Sequence, residues 1–312
     1  MTAKAKLSIE WLSGCSGCEI GFADLHEKLP KVLQDVELVR IPILMDTKEY
    51  VPADIGMITG SIRTRHDIEA AHRMRECCTT IIALGTCPVY GGPHGGSYAH
   101  TTAELLAGAF TDNPTTRTRE VPDQVPELLE EDRTLDSEIE VDVYLPGCPP
   151  HPAFILEGLQ ALLWDREPKI GQHNVCFNCK RRMDKSDVSE LRRSHEGSFD
   201  PDVCFLTQGC LCFGSVTLDR CLAPCPQAGV PCFSCSGPSI PVILEPQKDV
   251  RSLVASRMAH LTAIPEQTIV RAIERQAKTH YTYAMASPIF RKKPTFLLRK
   301  WISQVAEGGS RE

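Results

Sequence analysis

The stretch Leu7-Ser-Ile-Glu-Trp-Leu-Ser-Gly-Cys-Ser-Gly-Cys18 decides the fold, because a β-rich run leads directly into a pair of cysteines. Leu7–Leu12 has the composition of a strand. Similar runs follow at Val36–Pro42, Asp54–Thr59, Thr80–Leu84 and Ile139–Leu145. Helical spacing of apolar residues predicts helices at Ile20–Leu33, Asp67–Cys78 and Pro152–Trp164. Strands that alternate with helices predict an α/β fold with a flavodoxin-like, doubly wound parallel sheet.

Four cysteines follow the ends of predicted strands. Cys15 and Cys18 follow the first strand, Cys87 the fourth and Cys148 the fifth. The carboxyl ends of parallel strands open onto one crevice, so the four thiols are expected to meet there. Four thiolates suit an iron–sulfur cube. Two alternatives remain open at this point: buried free cysteines, or a redox dithiol at Cys15 and Cys18.

The composition changes near Glu167, and from there to Pro246 the chain is rich in Cys, Gly and Pro with little periodicity. Such a segment is expected to lack a hydrophobic core of its own and to be ordered by metal. Thiolate sets of this kind bind zinc or iron–sulfur clusters, and spacing alone does not separate the two. The nine cysteines are Cys176, Cys179, Cys204, Cys210, Cys212, Cys221, Cys225, Cys232 and Cys235.

The pattern becomes helical again after Pro246, at Val250–Leu261, Pro265–Ala277 and Phe296–Val305. We therefore expect three parts: a flavodoxin-like domain over 1–166, an iron–sulfur domain over 167–246 and a helical tail over 247–312. The apolar parts of the tail helices are expected to be buried against other subunits. About 98–136, the chain is polar and is interpreted as a partly helical insertion.

Composition excludes several classes of protein. A net charge of −6 over 312 residues, without a long basic stripe, argues against nucleic-acid binding. No run of about 18 apolar residues predicts a membrane span. The first residues also lack an export signal, so we expect a cytoplasmic protein. Because cytosolic thiols stay reduced, the 15 cysteines favour metal binding over disulfides.

Several motifs together resemble the small subunit of nickel–iron hydrogenases over about the first 240 residues. They are Cys15-Ser-Gly-Cys18, Gly85-Thr-Cys87, Pro146-Gly-Cys148-Pro-Pro, Cys204-x7-Cys212-x-Gly214 and Pro231-Cys232-x-x-Cys235-x-Gly237. An all-cysteine ligand set, no export signal and a helical tail resemble the cytoplasmic branch. Within it, chain length and tail resemble the methyl-viologen-reducing (F420-non-reducing) small subunits associated with heterodisulfide reductase.

The resemblance implies three 4Fe–4S clusters. The proximal cluster would use Cys15, Cys18, Cys87 and Cys148. The distal cluster would use Cys176, Cys179, Cys204 and Cys212, with Cys176 at a position where periplasmic relatives carry histidine. The medial cluster would use Cys221, Cys232 and Cys235, and Cys225 is available as a fourth ligand. A fourth thiolate should lower the medial potential by adding negative charge.

The resemblance also implies an activity and partners. This chain would conduct electrons during reversible oxidation of H2, while bond cleavage occurs in a large subunit that holds nickel and iron. The chain itself would carry no catalytic residue. An iron–sulfur or flavin subunit would accept the electrons, of the kind associated with heterodisulfide reductase. Two alternatives are a complex I-like quinone-reductase subunit, which shares the N-terminal domain, and a zinc-stabilised interaction module.

Some residues fall outside these sets. Cys77 and Cys78 are adjacent on a predicted helix, where neighbours point to different faces, and are assigned to packing. Cys210 could replace Cys212, but the Cys-x-Gly context favours Cys212. His94, His100 and His151 are interpreted as loop or interface residues. Arg63 follows the third strand and is expected near the large subunit or the proximal cluster.

Overall fold

The computed structural model describes residues 4–244 and 250–275, together with Tyr283. These residues form seven strands: β1 (Ala5–Trp11), β2 (Val36–Arg40), β3 (Ala53–Thr59), β4 (Ile62–Thr64), β5 (Cys78–Leu84), β6 (Leu128–Arg133) and β7 (Val143–Leu145). Five of them form one parallel sheet in the order β2-β1-β3-β5-β7. This is the flavodoxin-like order, so the predicted fold class is confirmed. The last sheet strand is shorter than predicted and begins only at Val143.

The first part of the chain contains six helices: α1 (Gly17–Ala23), α2 (Leu29–Asp35), α3 (Arg65–Cys77), α4 (Thr86–Tyr90), α5 (Thr102–Leu106) and α6 (Pro152–Leu163). The single helix predicted at Ile20–Leu33 is wrong, because α1 and α2 are separate. His26 lies between them with a left-handed φ of 48°. Pro30 lies in the first turn of α2. N–H groups in this turn have no partner within the helix, so the missing N–H of proline costs no helical hydrogen bond.

An antiparallel pair, β4 with β6, lies beside the main sheet. Residue patterning predicts no strand at β6, since Leu128–Arg133 is mostly charged and lacks a clean alternation. Only Leu129 and Asp132 of this strand are buried. The rest of the polar insertion is partly helical, as expected, with α5 followed by one π-helical turn at Ala107–Thr111.

Apolar side chains cover both faces of the main sheet. One face packs Ile58 and Ile81 against Met74 of α3. The other packs Ile9 and Ile82 against Ile155 of α6. Burial on both faces is typical of a parallel sheet and holds the carboxyl ends of its strands in fixed positions.

The second part of the chain is irregular, as predicted, but it has a hydrophobic core. Its helices are α7 (Pro224–Gln227), α8 (Ile240–Leu244), α9 (Val250–Leu261) and α10 (Glu266–Arg275). Phe205 and Phe213 pack against Val254 and Met258 of α9 and Ile269 of α10. Two expectations are thus wrong: the cysteine-rich segment does not lack a core, and α9 and α10 bury their apolar sides against this same chain. The helix expected at Phe296–Val305 lies outside the described residues.

Candidate metal centres

Four thiols converge at the carboxyl edge of the main sheet. Cys15 and Cys18 follow β1, Cys87 lies on α4 after β5, and Cys148 follows β7. The pKa of Cys87 is raised to about 12, by burial first and then by Cys148 and Cys15. Burial, then Cys87, Glu19, Cys148 and Cys15, raise the pKa of Cys18 in the same way. The structure therefore brings together all four residues of the predicted proximal set.

Two glycines give these thiols room. A β-carbon on Gly85 would lie 2.5 Å from the Cys18 sulfur, and one on Gly92 would lie 2.5 Å from the Cys87 sulfur. Both glycines have positive φ, 102° and 61°. Any other residue at either position would be strained and would collide with a thiol, so the backbone of these glycines approaches the sulfurs closely.

A second group of four thiols lies in the irregular segment. Burial raises the pKa of Cys176 to about 12, and Cys204 and Cys179 are its next causes. The pKa of Cys212 is also raised to about 12, mainly by burial and in smaller part by Cys176 and Cys204. The predicted distal residues, Cys176, Cys179, Cys204 and Cys212, thus lie together.

A third group contains Cys221, Cys225, Cys232 and Cys235. The pKa of Cys221 is raised to about 12, by burial first and with contributions from Cys235 and Cys225. The pKa of Cys232 is raised well above its ordinary value, by burial first and with contributions from Cys212 and Cys235. Cys225, the residue offered as a fourth medial ligand, therefore lies beside the other medial thiols and is exposed.

The three groups are arranged in a row, with the Cys221 group in the middle. Burial raises the pKa of Cys235 to about 11, and its next cause is Cys148 of the first group. At the other end, the backbone N–H of Cys232 donates to the Cys212 sulfur over 3.3 Å. Tyr283 lies near the junction of the first two groups, since burial and then Cys148 and Cys235 raise its pKa.

Backbone N–H groups donate hydrogen bonds to the sulfurs of several grouped cysteines. Backbone N–H groups of Leu206 and Thr207 lower the pKa of Cys204, and those of Gly214 and Cys232 lower that of Cys212. Similar bonds reach Cys221 from Ala223 and Cys232 from Ser234. Such donors favour the thiolate, the form that binds metal. The sequence did not reveal them, because a backbone donor leaves no residue signature.

The remaining cysteines lie apart from the three groups. The sulfurs of Cys77 and Cys78 are 3.6 Å apart, because α3 ends at Cys77 and β5 begins at Cys78. The expectation that they point to different faces is therefore wrong. Cys210 is buried; burial raises its pKa to about 11 and Arg192 opposes the increase. Within the described ranges, no three His, Cys, Asp or Glu side chains are spaced to hold one metal ion.

The histidines and Arg63 occupy structural positions. His151 caps α6, where its Nδ1 accepts from the Ala153 N–H over 3.2 Å. His94 is half-buried, and burial, followed by Arg63, lowers its pKa. Arg63 is itself buried and donates to the carbonyl oxygen of Leu129. His100 is exposed, 4.0 Å from the Glu104 carboxylate.

Sequence reasoning missed two residues that join the parts of the site. The Thr86 hydroxyl, beside Cys87, donates to the Cys235 carbonyl over 2.6 Å. Arg220, beside Cys221, is 1% exposed, and its guanidinium donates to the Gly171 carbonyl over 2.8 Å. It also lies over the ring of Phe154 on α6, and burial lowers its pKa to about 10. In the sequence, the one feature that sets Thr86 and Arg220 apart is that each directly precedes a grouped cysteine.

A family model described as the 20 kDa subunit of NADH ubiquinone oxidoreductase matches residues 15–162. Two curated relatives extend the likeness. One, from the vhu F420-non-reducing hydrogenase of Methanocaldococcus jannaschii, is 39% identical over 239 residues, which are 76% of this chain and 83% of the relative. The other, the iron-sulfur subunit of the F420-non-reducing hydrogenase of Archaeoglobus profundus, is 31% identical across 92% of this chain and 98% of the relative.

A solved structure supports the same relationship. A chain of an NAD+-reducing [NiFe]-hydrogenase in the H2-reduced state superposes with a TM-score of 0.52 and 31% identity, over 54% of this chain and 96% of that one. In residues 4–244 and 250–275, no helix combines the length and apolar character needed to cross a bilayer. The likeness over nearly the whole chain, together with the cysteine groups, shows that this protein belongs to the family of F420-non-reducing hydrogenase small subunits.

Proposed function

We propose that this chain conducts electrons between a nickel–iron site in a large subunit and an acceptor subunit, through three 4Fe–4S clusters, during reversible oxidation of H2. The observation that carries the proposal is the row of three thiol groups. Cys148 and Cys235 connect the first group to the second, and Cys232 and Cys212 connect the second to the third. A row of carriers is the arrangement that electron transfer across a protein requires.

Each group of four thiols fits one 4Fe–4S cluster. The proximal ligands are Cys15, Cys18, Cys87 and Cys148; the medial ligands are Cys221, Cys225, Cys232 and Cys235; the distal ligands are Cys176, Cys179, Cys204 and Cys212. When bound, the clusters supply one-electron redox chemistry. This chain's own groups supply the thiolates, the N–H donors to sulfur and the burial, all of which tune cluster potentials.

The large subunit would cover the edge of the sheet near the proximal set. Exposed apolar side chains lie around this edge, with exposed fractions of 42% for Trp11 and 54% for Ile20. Leu44 adds a third, at 65%. Large exposed apolar side chains that are neighbours of a functional site are typical of a subunit interface. The nickel–iron chemistry belongs to that partner, and this chain contributes no catalytic residue.

The three-part organisation stays a proposal: 1–166 with the proximal cluster, 167–246 with the medial and distal clusters, and 247–312 as the tail. A cytoplasmic location is proposed as well, because a chain with 15 cysteines that are read as metal ligands and packing residues suits a compartment that keeps thiols reduced. The acceptor is proposed to be an iron–sulfur or flavin subunit associated with heterodisulfide reductase.

The complex I-like alternative has one observation in its favour, the family model that matches residues 15–162. That match ends before the second and third thiol groups, whereas the hydrogenase relatives extend over them. Those groups are the parts of the chain that a quinone-reductase subunit of this kind does not need. The hydrogenase function accounts for all twelve grouped cysteines.

Iron and acid-labile sulfide analysis of the purified complex tests the proposal. We expect about twelve irons and as many sulfides bound to this chain. Zinc without sulfide would support the interaction module and remove the electron-transfer function. Hydrogen uptake with methyl viologen as acceptor tests the activity, and a complex with full iron content but no uptake would contradict the hydrogenase assignment.

A further inference from the structure

A basic pocket lies beside the distal and medial thiols, outside the three groups. Its cavity of about 630 Å³ opens between the loop 191–196, the Cys210–Leu211 segment and the end of α10. Leu211 forms part of its floor and directly precedes Cys212. Pro231 and Phe233 form another side, and they flank Cys232. Whatever occupies this pocket therefore lies beside the chain neighbours of one proposed distal and one proposed medial ligand.

Positive charge surrounds the pocket. Arg193 and Arg275 are exposed residues of its lining, and they come from separate elements, the loop and α10. Glu196 is the one acidic residue among the lining side chains. The whole chain has a net charge of −6, so the local charge at this pocket is opposite in sign to the net charge of the protein.

The arrangement of the cations fits an acidic protein surface better than a phosphate. The Arg192 guanidinium is already held by the carbonyl oxygens of Glu196 and Ser198, at 3.0 and 3.3 Å, and it stacks on Phe199. The remaining cations are exposed rather than converging and buried. Phosphate sites usually gather backbone N–H donors at a helix N-terminus, whereas α10 reaches the pocket with its C-terminal Arg275.

We propose that this basic pocket is the docking site for an acidic segment of the electron-acceptor subunit. The proposal rests on the proposed function, since it places the exit of electrons beside the distal and medial groups. Apolar contact with Leu211 and Phe233 would seat the segment, and the arginines would attract and orient it. Charges at the rim of an interface act mainly on the rate and register of association.

The test uses the complex purified with its acceptor subunit. Hydrogen-dependent reduction of that subunit is compared with reduction of methyl viologen, a small dication that needs no acidic docking segment. We expect the combined Arg193→Glu and Arg275→Glu substitutions to lower the ratio of the two rates about tenfold at low ionic strength. The variant should also lose most of the salt dependence of the acceptor rate. Arg193→Lys should keep the ratio near that of the unmodified complex.

A matched control combines Arg117→Glu and Arg119→Glu, which make the same charge change at two exposed residues of the insertion. An unchanged ratio in the Arg193/Arg275 double variant, or an equal loss in this control, would overturn the docking site. In the Arg193→Lys complex, carbodiimide should join the new amine to an Asp or Glu of the acceptor. Inhibition of acceptor reduction by adenosine diphosphate, with protection against this cross-link, would reassign the pocket to a small anion and overturn the proposal. If the unmodified complex fails to reduce viologen, the proposed function fails instead.

Discussion

The hydroxyl of Thr86 donates a 2.6 Å hydrogen bond to the carbonyl oxygen of Cys235, and so joins the loop of the first thiol group to the loop of the second. The same hydroxyl accepts from the Gly147 N–H over 3.0 Å, next to Cys148. Thr86 is 1% exposed. One buried side chain thus connects the segments that carry Cys87, Cys148 and Cys235.

Thr86→Val keeps the shape of this side chain and removes the hydroxyl. We expect a loss of about 1–3 kcal/mol in the free energy of unfolding, because the Gly147 N–H and the Cys235 carbonyl lose a partner in a buried site. Urea unfolding of the purified complex, followed by the cluster absorbance, measures the loss. Thr86→Ser retains the hydroxyl and serves as the control. Equal stability of the Val and Ser variants would contradict the bridging role.

Gly85 tests whether the first group needs bare backbone beside its sulfurs. Alanine at this position would place a β-carbon 2.5 Å from the Cys18 sulfur, so Gly85→Ala should prevent assembly of the proximal cluster. Gly229→Ala is the control, because Gly229 has a similar positive φ of 83° and no atom within 4 Å of its added β-carbon. Both variants introduce backbone strain, which is of order 1–3 kcal/mol at Gly85, where φ is 102° and ψ is 166°. Only Gly85→Ala should also lose about four irons by metal analysis. Full iron content in Gly85→Ala would contradict the close approach.

The sheet and the convergence of the proximal cysteines followed from residue patterns, whereas the distal and medial sets followed only from the family resemblance. Strand composition predicted the five sheet strands, and the motifs around Cys87 and Cys148 predicted which thiols would meet. The break between α1 and α2 was not predicted, since the apolar spacing of Ile20–Leu33 continues through it. A left-handed residue at His26 decides the break locally and leaves the periodicity unchanged.

Contacts between distant parts of the chain could not be predicted. The core that joins Phe213 to Met258 depends on how α9 folds back over the cysteine-rich segment, which no local pattern encodes. No motif singled out Arg220, yet it is buried beside Phe154. Strand β6 was not predicted, because its charged residues do not show the alternation of apolar and polar residues that is typical of a strand.

Asp132 should give the protein a stability that falls as pH rises. It is fully buried, and neither carboxylate oxygen has a hydrogen-bond partner among the described residues. Burial raises its pKa from 3.8 to about 7, and the nearby Ser61 and Arg63 only partly oppose the increase. Because the folded pKa is the higher one, the contribution is full below pH 3.8 and is lost as pH rises through about 7.

Between pH 6 and 8, the loss from Asp132 should be roughly 1 kcal/mol. Asp132→Asn cannot titrate, so the variant should lack this part of the pH dependence. Urea unfolding of the complex at several pH values measures it, and Asp112→Asn, at an exposed residue of the insertion, is the control. The same slope in Asp132→Asn and in the unmodified complex would show that Asp132 does not titrate in this range.

Cys225 and Cys210 form a matched pair for the ligand assignment, since both lie in the cysteine-rich segment and only Cys225 is proposed to bind iron. Cys225 raises the pKa of Cys221 and of Cys235, whereas Arg192 is the charged neighbour that acts on Cys210. Cys225→Ala should therefore convert the medial cluster from 4Fe–4S to 3Fe–4S, with an EPR signal in the oxidised state and a higher midpoint potential. Cys210→Ala should leave the spectrum and the iron content as they were. An unchanged medial spectrum in Cys225→Ala would remove Cys225 from the ligands, and a changed distal spectrum in Cys210→Ala would return Cys210 to the choice with Cys212.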